Sequence, residues 1–427
     1  MLFRSDEQES QQEIAKTLVN QIAAGKFEMA IEPFTEAMKK ALPADKLKQV
    51  WDGIISQRGP LKRATEIRNE VIKRLNTVFV TCEFQRSKLE TKVSFTDDGE
   101  ITALFFVPLH EYRPPSYANR STFEEAEITI GKGFWALPGT LSLPVGDGLF
   151  PAVVLVHGAG SLDRDETAGP NKHFRDLAYG LASQGIAVLR CEKRTKHHQL
   201  AISVVPRSIA TVKEEFVDDA LAAVDALAAH DRIDNTRIFV LGHDLGGVLL
   251  PRIGTASEKV AGVIIFAGTT RPWEDFVLDQ WKYILAFDGK VTEGEQKAIQ
   301  ELEKSVAKVK SPDLSPETAA KDLPLGIPAT YWLDLRGYHP AEAAKEMKQP
   351  ILILQGERDY LVSMEDFAQW KKTLASRKNV TFKSYSNLNH LFIAGEGKSS
   401  PADHLVPGNV AEPVIMDIAM WIKSQSL

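Results

Sequence analysis

The sequence predicts an α/β protein: a mostly parallel sheet with helices on both faces, a helical insertion late in the chain, and a small α+β unit in front. Three observations carry that prediction. From about residue 150 onward, short β-branched runs alternate with helical stretches, as crossover connections require. Pro151 to Val156 is apolar throughout, the pattern of a strand buried on both faces. Arg237 to Leu241 stops abruptly at Gly242-His243-Asp244-Leu245-Gly246-Gly247. That strand–turn–helix junction is so tight that glycines must flank its central residue.

The first stretch, residues 5 to 75, has helical spacing. Ile14, Leu18 and Ile22 share a face, and Phe27, Ile31, Phe34 and Met38 continue it. Trp51, Ile54 and Ile55 close a further helix before Arg58-Gly59-Pro60. The period then becomes two. Val78 to Cys82 reads as a strand, Leu89, Thr91, Val93 and Phe95 as a second, and Ile101 to Val107 as the return strand after an Asp98-Gly99 turn. Residues 1–112 are therefore expected to form an accessory α+β domain without catalytic spacing. Residues 113–427 form the main domain, opening at the Pro114-Pro115 linker.

In that main domain Ala126 to Ile130 and Phe134 to Leu143 are expected strands joined by Gly131-Lys132-Gly133. Helices are expected over 174–183, 211–229, 245–253 and 414–422, and strands over 186–189, 238–241, 260–266, 351–354 and 380–385. No strand pattern occurs between Thr269 and Pro350. Residues 269–349 instead read as a helical cap, rich in aromatics: Trp273, Trp281, Tyr283, Tyr331, Trp332 and Tyr338. A cap supplies substrate-binding walls and excludes water, so Trp273, Tyr331, Trp332 and Tyr338 are candidate substrate contacts. The plainer reading makes them the cap's own core.

Bulk properties narrow the function. The chain has 427 residues, 44% of them hydrophobic and 25% charged, a formal net charge of -6 and a pI near 6.0. That balance argues against nucleic acid as a partner, and no apolar run is long enough to span a bilayer. Cys82 and Cys191 both sit in strand-like settings and read as buried thiols. Met1 to Glu9 is polar, without an apolar signal segment, which points to the cytoplasm. A secreted or periplasmic chain stripped of its leader would read the same. The expected partner is a small-molecule substrate, and the accessory domain leaves a homodimer open.

Three acid–base positions occur in order, each one loop past a strand: Asp244 in the tight turn, Asp359 in Gln355-Gly356-Glu357-Arg358-Asp359, and His390 in Asn387-Leu388-Asn389-His390. In a parallel sheet those loops open at one edge, so the three can meet as a catalytic triad. The turn around Asp244 is the layout of a nucleophile elbow. His157-Gly158-Ala159-Gly160 follows the first buried strand and is expected to give an oxyanion hole from the N–H groups of Ala159 and Leu245. Asp163-Arg164-Asp165-Glu166-Thr167 reads as a rim salt-bridge cluster, with Glu192-Lys193-Arg194 able to join it. Arg164 is a weaker candidate for substrate contact. His197-His198 lacks a third residue at ligand spacing, so no metal is expected.

These motifs carry a resemblance. From about Glu124 the chain resembles bacterial α/β-hydrolases of the dienelactone-hydrolase and acyl-esterase type, and more closely a subgroup with a small N-terminal α+β domain. The matching stretches are Asp163 to Thr167, Gly169-Pro170-Asn171-Lys172, Gln355 to Tyr360 and Leu388-Asn389-His390-Leu391-Phe392. The resemblance implies hydrolysis of carboxylic esters or related acyl compounds, without metal or organic cofactor. It also implies Ser where this chain has Asp244.

That one residue opens three readings. A carboxylate adding to an ester carbonyl is a better leaving group than an alkoxide, so the intermediate falls back. The first reading is an esterase lineage with weakened ester turnover. The second is a true Asp nucleophile acting on an epoxide, a halide or an activated acyl compound through a covalent alkyl-enzyme ester. The third is a binding scaffold without turnover, against which the complete His390–Asp359 pair argues. Leu245 stands where dehalogenases place a halide-binding Trp, and His157 to Gly160 lacks the Pro usual in Asp-nucleophile families.

Overall fold

A computed structural model describes residues 5–72, 75–109, 112–204 and 211–425. The start of the polar N-terminal stretch, Met1 to Arg4, lies outside them. The chain divides into two compact units, Met1–Glu111 and Tyr112–Leu427.

In the first unit, helices α1 (Ser5–Ala23), α2 (Phe27–Ala30), α3 (Glu36–Ala41) and α4 (Ala44–Arg58) precede an antiparallel meander. Its strands are β1 (Leu61–Ile72), β2 (Leu75–Phe84), β3 (Lys88–Phe95) and β4 (Ile101–Leu109), in that order across the sheet. Ala15, Leu18, Val19 and Ile22 of α1 and Trp51 of α4 share one core with Val78, Val80, Cys82, Val93 and Phe95. Gly99 takes φ +80 in the β3–β4 turn, a left-handed conformation that glycine adopts without strain. The expectation of helix through residue 75 is corrected by β1. Leu61, Ala64 and Ile67 recur every three residues as in a helix, yet β1 pairs antiparallel with β2. Register shifts at Leu61/Arg63 and Ala64/Ile67 insert extra residues into the strand. Each bulge resets the alternation, so a three-residue apolar spacing still faces one core.

The second unit is built on one eight-stranded sheet. Its strands are β5 (Phe123–Ile130), β6 (Leu137–Pro144), β7 (Phe150–Val156), β10 (Ala187–Cys191), β11 (Ile233–His243), β12 (Val260–Phe266), β13 (Ile351–Gly356) and β14 (Val380–Tyr385). The two-residue strands β8 (Thr167–Ala168) and β9 (Asn171–Lys172) form a separate ribbon. The sheet order is β14-β13-β12-β11-β7-β10-β6-β5. Only the β5–β6 and β6–β10 pairings are antiparallel. Connecting helices are α5 (His173–Ser183), α6 (Arg194–His197), α7 (Gln199–Val204), α8 (Asp219–Ala228), α9 (Leu245–Ala256), α14 (Met364–Thr373) and α15 (Glu412–Ser424). Alternate side chains of the central strands feed two cores. Val154 and Val240 face α8 and α9, while Val153 and Phe239 face α5 and α15. This is the α/β-hydrolase fold.

Between β12 and β13 lie α10 (Trp273–Leu285), α11 (Glu293–Lys310), α12 (Ala329–Leu335) and α13 (Pro340–Lys345). α11 opens with a capping box between Thr292 and Glu295, which satisfies two otherwise orphaned N–H groups. The expected helix over 211–229 is interrupted: Lys213–Asp218 forms a π-helical turn ahead of α8. Among the described residues no helix is long and apolar enough to cross a membrane.

Candidate active site

β11 is central in the sheet, between β7 and β12, and its carboxyl end delivers Asp244. The backbone there has φ 49 and ψ -118, a strained conformation for a residue with a side chain. Glycines make the turn possible. A Cβ on Gly242 would lie 2.4 Å from the carbonyl of Gly246, and one on Gly246 would lie 2.5 Å from the His157 oxygen. Leu245 opens α9, so its N–H has no partner within the helix.

The Asp244 carboxylate is buried. Oδ2 accepts a hydrogen bond from the Ala159 N–H at 3.0 Å. Oδ1 is buried without a hydrogen-bond partner among the described residues. One oxygen of the elbow residue thus caps an amide of the glycine loop.

Past β13 and β14, His390 and Asp359 meet. The imidazole Nδ1 donates to Asp359 Oδ2 at 2.7 Å. The other carboxylate oxygen accepts from the N–H groups of Leu361 and Val362 at 2.8 and 3.0 Å, and Gln355 donates to Oδ2 at 3.1 Å. Burial opposes a charged imidazole here, but Asp359, followed by Asp244 and Glu166, outweighs it and raises the His390 pKa to about 9. No direct ion pair joins His390 to Asp244 among the described residues.

A second buried set braces these parts. Glu166 Oε1 accepts from the Gly158 N–H at 2.8 Å and faces His243 Nδ1 at 3.0 Å. Its other oxygen lies 3.3 Å from His173 Nε2, and His243 Nε2 contacts the His390 carbonyl at 3.1 Å. Burial alone would raise the Glu166 carboxyl pKa; the facing imidazoles of His243 and His173 outweigh it and hold it well below the usual range. One carboxylate thereby links the glycine loop, the elbow and the histidine loop. Glu166, His173 and His243 are also the one group among the described residues with the donor types and spacing to hold a metal ion. Hydrogen bonds already engage Glu166 Oε1 and both His243 nitrogens, and no fourth ligand joins the three.

The acidic run after the glycine loop is therefore split. Arg164 does sit at the rim, bonding Glu192 at 2.9 Å and Glu127 at 2.7 Å. Asp165 pairs with Arg175 at 2.6 Å and Lys172 at 3.1 Å. Asp165, which also meets Arg190, and Glu166 are both buried, which corrects their placement in a rim cluster. Lys193 also turns inward, whereas Arg194 pairs with Asp219. His198 stacks on Phe134 and reaches the Ala136 carbonyl at 3.2 Å.

The cap aromatics separate in the same way. Tyr331 lies near Glu215 and feels its charge and that of Asp244. Burial, then Glu215, push its hydroxyl pKa well above the ordinary value. Trp332 is fully buried and Trp273, also buried, packs tilted against Phe276 with ring centroids 4.8 Å apart, so both serve the core. Tyr338 donates to the Val248 carbonyl at 3.0 Å, with Arg252 over its ring, and ties the cap to α9. Sequence reasoning missed Glu166, His173, His243, Lys193 and Glu215. Position was the signal for the first four, each within a few residues of the elbow, a strand end or the glycine loop; Glu215, in the turn Lys213–Asp218, had none.

Comparison with known proteins agrees with this architecture. Residues 151–397 match the family described as serine aminopeptidase, S33. Residues 15–104 match a family described as a protein of unknown function (DUF3887). The chain is 36% identical over 424 residues to Esterase EstD of Thermotoga maritima, covering 99% of this chain and 96% of the relative. Among solved structures it is similar to the Pyrococcus horikoshii acylaminoacyl peptidase, at 16% identity and a TM-score of 0.47, covering 84% of this chain and 56% of that one. It is also similar to Est1E of Butyrivibrio proteoclasticus, at 14% identity and a TM-score of 0.45, covering 70% and 99%. The chain belongs to the serine aminopeptidase S33 family of α/β-hydrolases and is an esterase-like hydrolase.

Proposed function

We propose that Asp244, Asp359 and His390 form the site of a carboxylic-ester hydrolase in which Asp244 slows ordinary ester turnover. Its substrate is a small carboxylic ester, in keeping with the name of its Thermotoga maritima relative. The hydrogen bond from the Ala159 N–H to Asp244 Oδ2 carries this reading. An ester carbonyl can be stabilised in the hole only by displacing a charged oxygen already bonded there. An oxyanion-hole donor is worth about 10²- to 10³-fold in rate, so a hole filled by its own carboxylate forfeits that factor. Carboxylate addition to an ester also reverts faster than it proceeds. The test is hydrolysis of nitrophenyl acetate by the unmodified chain and by Asp244→Ser. The reading expects a gain of about 100-fold or more. Equal rates would refute it.

The unpaired Asp244 Oδ1 favours a second reading. With Oδ2 held in the hole, Oδ1 is free to attack a saturated carbon. The new C–O bond forms as the bond to the leaving group breaks, and that group departs with the electron pair. Water then adds to the Asp244 carbonyl carbon of the alkyl-enzyme ester. Alkylation removes the Asp244 charge that helps raise the His390 pKa; His390 releases its proton to solvent and, as the neutral imidazole, takes the water's proton, the Ala159 and Leu245 N–H groups hold the oxyanion, and collapse expels the alcohol and restores the carboxylate. One turnover in ¹⁸O-water would leave label in the peptide carrying Asp244. Label found only in the released product would eliminate this route.

A further inference from the structure

Lys193 lies two residues beyond β10, and its side chain is 2% exposed. A buried ammonium needs acceptors and a counter-charge, and this one has both. It donates to the Gly158 carbonyl at 2.6 Å and the Gly160 carbonyl at 2.9 Å. It pairs with Glu215 Oε1 at 3.2 Å. The ring of Phe216 lies 4.2 Å beneath it.

The two carbonyls are not arbitrary. The Gly158 C=O and the Ala159 N–H belong to the same planar trans peptide, so they point in opposite directions. Fixing the oxygen on Lys193 aims the N–H at Asp244 Oδ2, where it is found. A cation on the carbonyl also polarises the peptide and strengthens its N–H as a donor. The Gly160 carbonyl fixes the far side of Ala159.

Glu215 supplies the counter-charge. It lies in the π-helical turn Lys213–Asp218, a distortion that recurs at functional sites. Its side chain is 8% exposed. It also accepts from Thr195 Oγ1 at 2.6 Å and lies near Tyr331 of the cap.

We propose that Lys193, held by Glu215, is a positioning residue that sets the direction and donor strength of the Ala159 amide in the oxyanion hole. This rests on the reading of Ala159 as an oxyanion donor. Two measurements test it. The first is amide exchange by mass spectrometry on the full chain, comparing Lys193→Met and Glu215→Gln with the unmodified protein. Exchange over residues 157–161 should quicken about tenfold or more while peptides from β7 and α5 are unchanged. Unchanged exchange in that segment would overturn the proposal. The second places each change in the Asp244→Ser chain and follows nitrophenyl acetate. kcat should fall about 10- to 100-fold with KM within about threefold. A rise in KM at constant kcat would also overturn it. If Lys193→Met fails to fold, Glu215→Gln, which keeps the volume, carries both measurements. If Asp244→Ser hydrolyses nothing, the ester reading fails and amide exchange alone judges the clamp.

Discussion

Replacing Asp359 with Asn probes the buried His390–Asp359 pair, because it removes a charge and keeps the shape. The amide oxygen can still accept from the Leu361 and Val362 N–H groups. What disappears is the anion 2.7 Å from His390 Nδ1. With Asp359 present, the folded-state pKa of His390 is about 9, against 6.5 for an unburdened imidazole. A raised pKa on a base means that the folded state holds its proton more tightly than the unfolded state. The resulting stabilisation is fully present below about pH 6.5 and is lost as pH rises through about 9. Each pH unit is worth about 1.4 kcal/mol, so the window holds about 3 kcal/mol. In Asp359→Asn, burial becomes the leading influence and pulls the imidazole down. Urea unfolding at about pH 6 should cost the variant about 3 kcal/mol more than at about pH 9.5. Histidine NMR titration should move the His390 transition down from about 9. A deficit equal at both pH values, or a transition that stays in place, would refute the assignment of Asp359 as the group that holds His390 charged.

Three further substitutions test the scaffold. Gly246→Ala puts a Cβ 2.5 Å from the His157 oxygen, so thermal unfolding should register a loss of about 3 kcal/mol or more. Gly53→Ala, in the middle of α4 with nothing within 4 Å, should instead gain about 0.5–1 kcal/mol. Glu166→Gln removes the buried charge between His173 and His243 and should cost about 3 kcal/mol near neutral pH in urea unfolding. A loss under about 1 kcal/mol would show that the carboxylate braces nothing.

Much of the site was legible because its geometry is topological. Four parallel strands end at one edge, so the order of the glycine loop, Asp244, Asp359 and His390 could be read from strand ends alone. The glycines around Asp244 announce a turn that no other residue fits. The bracing residues were hidden for the opposite reason. Glu166 stands in a run with Asp163, Arg164 and Asp165, and nothing local says which member turns inward; that depends on His173 and His243, which arrive from other elements. Lys193 looked like one charge in Glu192-Lys193-Arg194, yet its partners are backbone carbonyls that no sequence pattern marks. The π-helical turn around Glu215 differs from an ordinary helix by a single residue. β1 was masked by its bulges, which copied helical spacing.

The central claim is that these side chains form one hydrolytic centre whose ester chemistry is limited by the identity of residue 244. The most direct test treats Asp244→Ser with a fluorophosphonate and maps the adduct by peptide mass. The account predicts one equivalent of label on the peptide carrying position 244, lost when His390→Ala is added. Absence of label, or label indifferent to His390, would contradict it.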